Sequence, residues 1–260
     1  MQALLNTAVK AARKGGDAAL RYLNRVAELD IRTKARNEFV TQVDLAAETA
    51  IIESIRERYP THGFLAEESG AHAGDEFVWI IDPLDGTTNF LHGFPVFSVS
   101  LALKVRDQIE VGVVYDPCRQ ELFTATRGGG AQVDGKRIRV SGRPGLDGAL
   151  IGTGFPYRSN TQWLDRYMRM LRAVMEETAG VRRPGSAALD LCYVAAGRLD
   201  GFWEFGLSPW DMAAGTLMIR EAGGIVTSLT PGNDPVETGN VLAGSPKVHE
   251  ALHQLLLPHL

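Results

Sequence analysis

The 260 residues include 27 basic and 31 acidic side chains, a formal charge of −4, with 45% hydrophobic and 22% charged residues. That balance excludes wholesale disorder, and it argues against direct nucleic-acid binding, which needs a basic excess. The length is near the upper limit for one hydrophobic core, so the expectation is a single domain over 1–260, with lobes of about 1–140 and 149–260.

Ala3 to Val26 has apolar residues at helical spacing, with few breakers before Gly15-Gly16, and reads as a long helix. Lys10, Arg13 and Lys14 interrupt its apolar residues, unlike a signal peptide. Arg32 to Glu38 is charged and without period, the pattern of an exposed loop. A helix is expected from Asp44, as its cap, to Tyr59, with Pro60 stopping it. Strands follow at Phe64–Ala66, Phe77–Ile81, Val96–Lys104, Ile109–Tyr115 and Glu121–Thr126, the last three as an antiparallel meander. The weakly polar run Phe94 to Leu103 is broken by Pro95, Ser98 and Ser100 and is too short to span a bilayer. Ser141 to Gly148, rich in Gly and Pro, is the expected lobe boundary. Beyond it helices at Trp163–Glu177, Leu189–Ala196, Asp211–Ala222 and Lys247–Leu257 alternate with strands at Gly201–Glu204 and Ile225–Ser228. The fold class is therefore α/β, an α+β lobe joined to an α/β lobe. Cys118 and Cys192, the only cysteines, read as reduced thiols, and the expected location is the cytoplasm, without membrane contact.

The chemistry-bearing segment is Trp79-Ile80-Ile81-Asp82-Pro83-Leu84-Asp85-Gly86-Thr87-Thr88-Asn89. Asp-Pro and Asp-Gly are common turn dipeptides, and a plain turn is one reading. The other is a metal site. Pro83 fixes the backbone between two carboxylates, so that both, with the Leu84 carbonyl, can converge on a hard cation such as Mg²⁺. Gly86, Thr87 and Thr88 then offer amides and hydroxyls at a helix start, a seat for phosphate. Glu67-Glu68 reads alone as a solvated pair, and Asp211 alone as a helix cap, a role compatible with holding a metal. Two carboxylates about 4 Å apart repel by roughly 4 kcal/mol at an effective dielectric of 20, so such a cluster makes sense when divalent cations neutralise it.

These residues together, Asp82-Pro83-Leu84-Asp85-Gly86-Thr87-Thr88-Asn89 with Glu67-Glu68 before and Trp210-Asp211-Met212-Ala213-Ala214-Gly215 after, resemble the inositol monophosphatase family, most closely its bacterial SuhB-type branch. Phe39-Val40-Thr41-Gln42-Val43-Asp44, Gly185-Ser186-Ala187-Ala188-Leu189-Asp190 and Glu221-Ala222-Gly223-Gly224 extend the match over nearly the whole chain. Ala66 departs from it, standing where many relatives have Gly. The resemblance implies a layered sugar-phosphatase fold, a homodimer, sensitivity to lithium, and two or three Mg²⁺ per active site. It implies that Glu67, Asp82 and the Leu84 carbonyl hold one metal, and that Asp82, Asp85 and Asp211 hold a second. Gly86 and Thr87 would bind phosphate, and Asp44 would bond Thr87 and help orient the attacking water. Gly185, Ser186, Ala187 and Glu204, with Arg182 beside them, would face the sugar alcohol. The implied reaction is hydrolysis of myo-inositol monophosphate by metal-activated water without a covalent phosphoenzyme. Fructose 1,6-bisphosphate, histidinol phosphate and a nucleotide 3′-phosphate are alternative substrates. Some relatives act in ribosomal RNA transcription antitermination, so a binding role with incidental hydrolysis stays open.

Other motifs fall to simpler readings. Gly130 to Lys136 has phosphate-loop spacing, but Arg137 stands where Ser or Thr should bind metal, so Asp134-Gly135 reads as a hairpin turn. The six histidines form no zinc-helix motif and read as surface or locally bonded. Arg182-Arg183 reads equally as a solvated pair or as a contact for substrate, subunit or partner. Trp163, Tyr167, Met168, Met170 and Leu171 read as core packing or a dimer contact.

Overall fold

The computed structural model describes residues 1–23, 25, 31–35, 38–156, 161–229 and 234–260. Helix α1 (Gln2–Leu20) ends before the expected Val26, which lies outside the described residues. The stretch expected as a loop instead forms most of an antiparallel pair, β1 (Ile31–Ala35) and β2 (Glu38–Thr41), with Ile31 opposite Thr41. The stretch Arg32 to Glu38 has no apolar alternation, the pattern by which a strand shows itself in a sequence. Helix α2 (Gln42–Arg56) follows at once. Its N-cap is Thr41, correcting the expected Asp44, because Asp44 as third helical residue reaches back to the Thr41 amide.

Next come β3 (Gly63–Ala66), β4 (Gly70–His72), β5 (Phe77–Asp85), the short helix α3 (Thr87–Leu91), β6 (Ser98–Val105), β7 (Gln108–Asp116), β8 (Glu121–Thr126), β9 (Gly130–Val133) and β10 (Lys136–Arg137). They form an eight-stranded sheet in the order β10-β9-β8-β7-β6-β5-β3-β4, in which only β3 and β5 pair parallel. The expected meander of β6, β7 and β8 is present. Asp134 (φ 48) and Gly135 (φ 75) link β9 to β10 in the left-handed geometry of a two-residue hairpin, so this segment is no phosphate loop.

Residues 138–149 contain neither helix nor strand and lead into β11 (Leu150–Thr153). Then follow α4 (Leu164–Glu177), β12 (Gly180–Arg182), α5 (Ala187–Ala195), β13 (Gly201–Glu204), α6 (Pro209–Glu221), β14 (Ile225–Ser228), the short α7 (Pro235–Thr238), β15 (Val241–Gly244) and α8 (Pro246–Leu256). The second sheet runs β12-β11-β13-β15-β14, parallel across its first three strands and antiparallel across the rest. Its strands have four residues at most, and β11 and β15, which contain Gly152 and Gly244, carry too little pattern to be read from sequence.

Period-two burial sorts the side chains into layers. Trp79, Ile81, Val99, Leu101, Val111 and Val113 pack on α1 and α2. Ile80, Ala102, Val114 and Phe123, on the opposite face, pack on α5 and α6, which also meet Phe202 and Ala243 of the second sheet. That sheet's outer face, with Ile151, Trp203 and Leu242, packs on α4 and α8. The result is a stack of helices, sheet, helices, sheet, helices: a layered α/β fold. On α4, Tyr167 and Met170 are buried while Met168 is exposed, which answers part of the packing question left by its sequence. Among the described residues no helix is long and apolar enough to cross a membrane.

Candidate active site

The site forms where β5 leaves the large sheet. On β5 the register runs Asp82 opposite Ser100 and Asp85 opposite Ser98, three steps against two on β6. In a regular strand residues three apart point to opposite faces; the extra residue of this bulge re-aims one of them. The Leu84 amide donates to Asp82 Oδ1 (2.9 Å), and the Leu84 side chain is buried with Val43, Phe90 and Phe97. Gly86 then takes φ 98°, a conformation that side chains disfavour, and turns the chain into α3.

Asp211 joins from the other side of the molecule. It is the third residue of α6, where its Oδ2 accepts the Ser208 amide (2.7 Å) in a capping box, so the N-cap is Ser208 and not Asp211. One carboxylate oxygen from each of Asp82, Asp85 and Asp211 lies within 4.8 Å of the others. Burial, followed by the charges of Glu67, Asp85 and Asp211, holds the Asp82 carboxyl well above its ordinary range. An all-oxygen donor set that is strained by its own charge suits a hard divalent cation such as Mg²⁺. Glu67 follows β3, and its amide bonds the Ile81 carbonyl (3.1 Å), placing it beside the end of β5.

Asp44 anchors the neighbouring corner. Its Oδ2 accepts from the Thr41 amide (2.8 Å) and hydroxyl (2.7 Å), and its Oδ1 faces the Thr87 hydroxyl at 3.2 Å. Burial pushes the Asp44 carboxyl up, the Thr41 bonds pull it down, and the Glu67 charge pushes it further up. The Thr87 hydroxyl also faces the Leu84 carbonyl at 3.1 Å. With one proton, it donates to one of these acceptors at a time.

Asp85, Gly86, Thr87 and Asp211 share one pocket with Gly185, Ser186, Ala187 and Glu204. Arg182 does not line it: that side chain is exposed and donates to the Val181 carbonyl, and Arg183, the first residue after β12, lines the pocket in its place. Ser186 donates to Asp85 Oδ2 (2.6 Å), which also accepts the Ala188 amide (2.8 Å), so α5 is fastened to the acidic cluster by its first turn.

Three residues emerge only in the structure. Glu48, buried on α2, accepts the Glu68 and Ser69 amides (2.8 and 2.9 Å) and so holds the segment carrying Glu67. Asn89 donates to the Val96 and Pro184 carbonyls (both 2.8 Å), tying α3 to the 184–186 turn. Asp190 lines the pocket from α5. Asn89 and Asp190 lay within quoted motifs, whereas Glu48 had no signal, since an acidic residue at that place in an amphipathic helix reads as solvated.

A model of the inositol monophosphatase family matches residues 1–260. Nus factor SuhB of Pseudomonas aeruginosa is 50% identical over 265 residues, covering 100% of this chain and 98% of that protein. The crystal structure of the extragenic suppressor protein suhB from Bartonella henselae superimposes with a TM-score of 0.95 at 46% identity, covering 98% of each chain. The inositol monophosphatase from Anabaena gives 0.84 at 39% identity, over 99% of this chain and 96% of that one.

Proposed function

Because the chain belongs to the inositol monophosphatase family, we propose that it is a Mg²⁺-dependent phosphomonoesterase that hydrolyses myo-inositol monophosphate or a closely similar sugar phosphate. The observation that carries this reading is the convergence of the Asp82, Asp85 and Asp211 carboxylates beside a pocket that also holds Glu204. In this reading Glu67, Asp82 and the Leu84 carbonyl hold one Mg²⁺, and Asp82, Asp85 and Asp211 a second. Bound there, Mg²⁺ would neutralise the phosphate dianion and acidify a water at neutral pH.

The protein's own groups supply position and proton handling. The Thr87 hydroxyl donates to Asp44 or Leu84, which leaves its oxygen lone pairs to accept a hydrogen bond from the attacking water; when it donates to Asp44, the water's proton passes to Thr87 as the hydroxyl's own proton passes to the Asp44 carboxylate. The Gly86 and Thr87 amides serve the phosphate. Ser186 uses its hydroxyl on Asp85, so it faces the sugar alcohol, with Gly185 and Ala187, through its backbone. Glu204 accepts hydrogen bonds from ring hydroxyls, which favours inositol among the candidate alcohols.

The test is initial rates of phosphate release with Mg²⁺ from inositol 1-phosphate, fructose 1,6-bisphosphate, histidinol phosphate and a 3′-nucleotide. Asp85→Asn is expected to lower kcat at least about a hundredfold, since a metal clamp is worth several kcal/mol in the transition state. The fold should survive, because the amide oxygen can still accept from Ala188. Unchanged turnover at saturating Mg²⁺ would remove Asp85 from the metal set.

A second reading is favoured by one finding: curated relatives at 50% identity carry the name Nus factor SuhB. In that reading the selected role is as a transcription antitermination component. Rescue of a null strain by Asp85→Asn as well as by wild type would favour it; rescue by wild type alone would favour the enzyme.

A further inference from the structure

Glu204 lines the same pocket as Asp85 and Asp211. Its carboxylate occupies the space that the missing side chain of Gly154 leaves: a Cβ on Gly154 would overlap it. Asp190, in the first turn of α5, lines the pocket as well and is not one of the carboxylates assigned to metal.

Asp190 is 1% exposed, and its Oδ1 has no hydrogen-bond partner among the described residues. A fully buried carboxyl oxygen left in this state is costly to the fold and calls for a reason. Metal binding does not provide one, because Asp190 is not among the carboxylates that converge. Helix capping does not either: the Leu189 amide goes to the Ser186 hydroxyl, and the Ala188 amide goes to Asp85. What Asp190 faces is charge. Burial first, then Glu204 and Asp85, raise its carboxyl well above the ordinary range, against an opposing pull from Arg183. A neutral acid beside a carboxylate is compatible with both being packed together, whereas two anions would drive each other apart.

We infer that Asp190 is a positioning residue for Glu204, keeping that carboxylate over Gly154 and so setting the preference of the pocket for hydroxyl-rich phosphate esters over plain ones. The inference rests on the phosphatase reading above. It assigns Asp190 no contact with phosphate or metal, only control over the group that reads the alcohol.

The test compares kcat and KM for myo-inositol 1-phosphate and p-nitrophenyl phosphate, which has no alcohol hydroxyls. Asp190→Leu is expected to raise KM for the inositol ester about tenfold, lowering its preference over the aryl ester by a similar factor, with a much smaller change in kcat. Asp190→Asn keeps the shape and a neutral donor, and should stay within about threefold of wild type. In a Glu204→Gln background Asp190→Leu should cause no further loss of preference, since the two residues act as one unit. Thermal unfolding verifies the fold, and Asp190→Ala replaces the leucine variant if that one does not fold. Unchanged preference, or a loss that adds in full to that of Glu204→Gln, overturns the inference and leaves the phosphatase reading standing. A wild type inert towards every ester overturns that reading, and the inference with it.

Discussion

Asp44, Asp85 and Asp211 each have one carboxylate oxygen fastened by backbone amides, those of Thr41, Ala188 and Ser208. Hydrogen bonds to a charged group contribute roughly 1.5–3 kcal/mol each, which offsets part of the mutual repulsion of these carboxylates. Glu204 has a different task, and Glu204→Ala should weaken binding of inositol phosphate by about the same 1.5–3 kcal/mol, with a smaller effect on an aryl phosphate. Equal losses in the KM of both esters would mean that Glu204 supports structure and does not read the alcohol. His249 allows a separate prediction. Burial, reinforced by His253, lowers its imidazole to about 4, and its Nε2 lies 2.9 Å from the Thr227 hydroxyl. In the unfolded chain it titrates near 6.5, so below that pH the unfolded state binds the extra proton. Its contribution to stability is therefore complete above about pH 6.5 and is lost as pH falls towards 4. His249→Gln should flatten the fall of the unfolding midpoint between these values; parallel curves for the two proteins would show that another group carries it.

At the scale of elements, the candidate site residues sit where one element hands over to the next. Asp82 and Asp85 end a strand, Asp44 and Asp211 occupy the third position of helices, and Glu204 ends β13. The capping boxes explain why Asp44 and Asp211 were legible as helix-start residues but misplaced by a few positions: a carboxylate reaching back to the cap amide leaves the same local signature as a cap itself. Glu48 shows how one element positions another. By accepting both the Glu68 and Ser69 amides, it fixes the turn after β3 from the side of α2. Glu48→Ala should weaken apparent Mg²⁺ affinity by about 10- to 100-fold, the usual effect of losing a group that orients a ligand. A Mg²⁺ activation curve measures it, and an unshifted curve would show that Glu67 is held without this brace.

At the scale of the whole molecule, the site depends on how closely α6 seats on the large sheet. Ala102, Gly112, Ala125 and Ala131 stand side by side across β6, β7, β8 and β9. Along this stripe a Cβ on Gly112 would come within 3.0 Å of the Ala214 carbonyl oxygen and 3.2 Å of its Cα. Backbone atoms cannot swing aside as a side chain does, so Gly112→Ala should displace α6, at a cost of about 1–3 kcal/mol. Because Asp211 is in the first turn of that helix, the same substitution should also raise the Mg²⁺ concentration needed for half-maximal activity. Urea unfolding and a metal titration read the two effects. A loss of stability without any change in metal response would separate the seat of α6 from the site.

Much of the site was legible in the sequence, because its chemistry is concentrated in short runs. Asp82 to Asn89, Glu67-Glu68 and the segment around Asp211 each declare acidic or turn-forming residues between apolar stretches, and these local patterns survive folding. The long helices and the meander declared themselves by period for the same reason: one buried face imposes its spacing on the residues that form it. What the tertiary structure decided lies between segments. The bulge that aims Asp82 and Asp85 together depends on the register with β6. The pairing of β1 with β2 and the four-residue strands of the second sheet depend on neighbours, which no local window contains. Arg183 rather than Arg182 lines the pocket because the chain leaves β12 after Arg182, and where a strand ends depends on its neighbours in the sheet. Glu48, Gly112 and Asp190 owe their roles to groups distant along the chain, and a residue type by itself does not say which distant group it will meet.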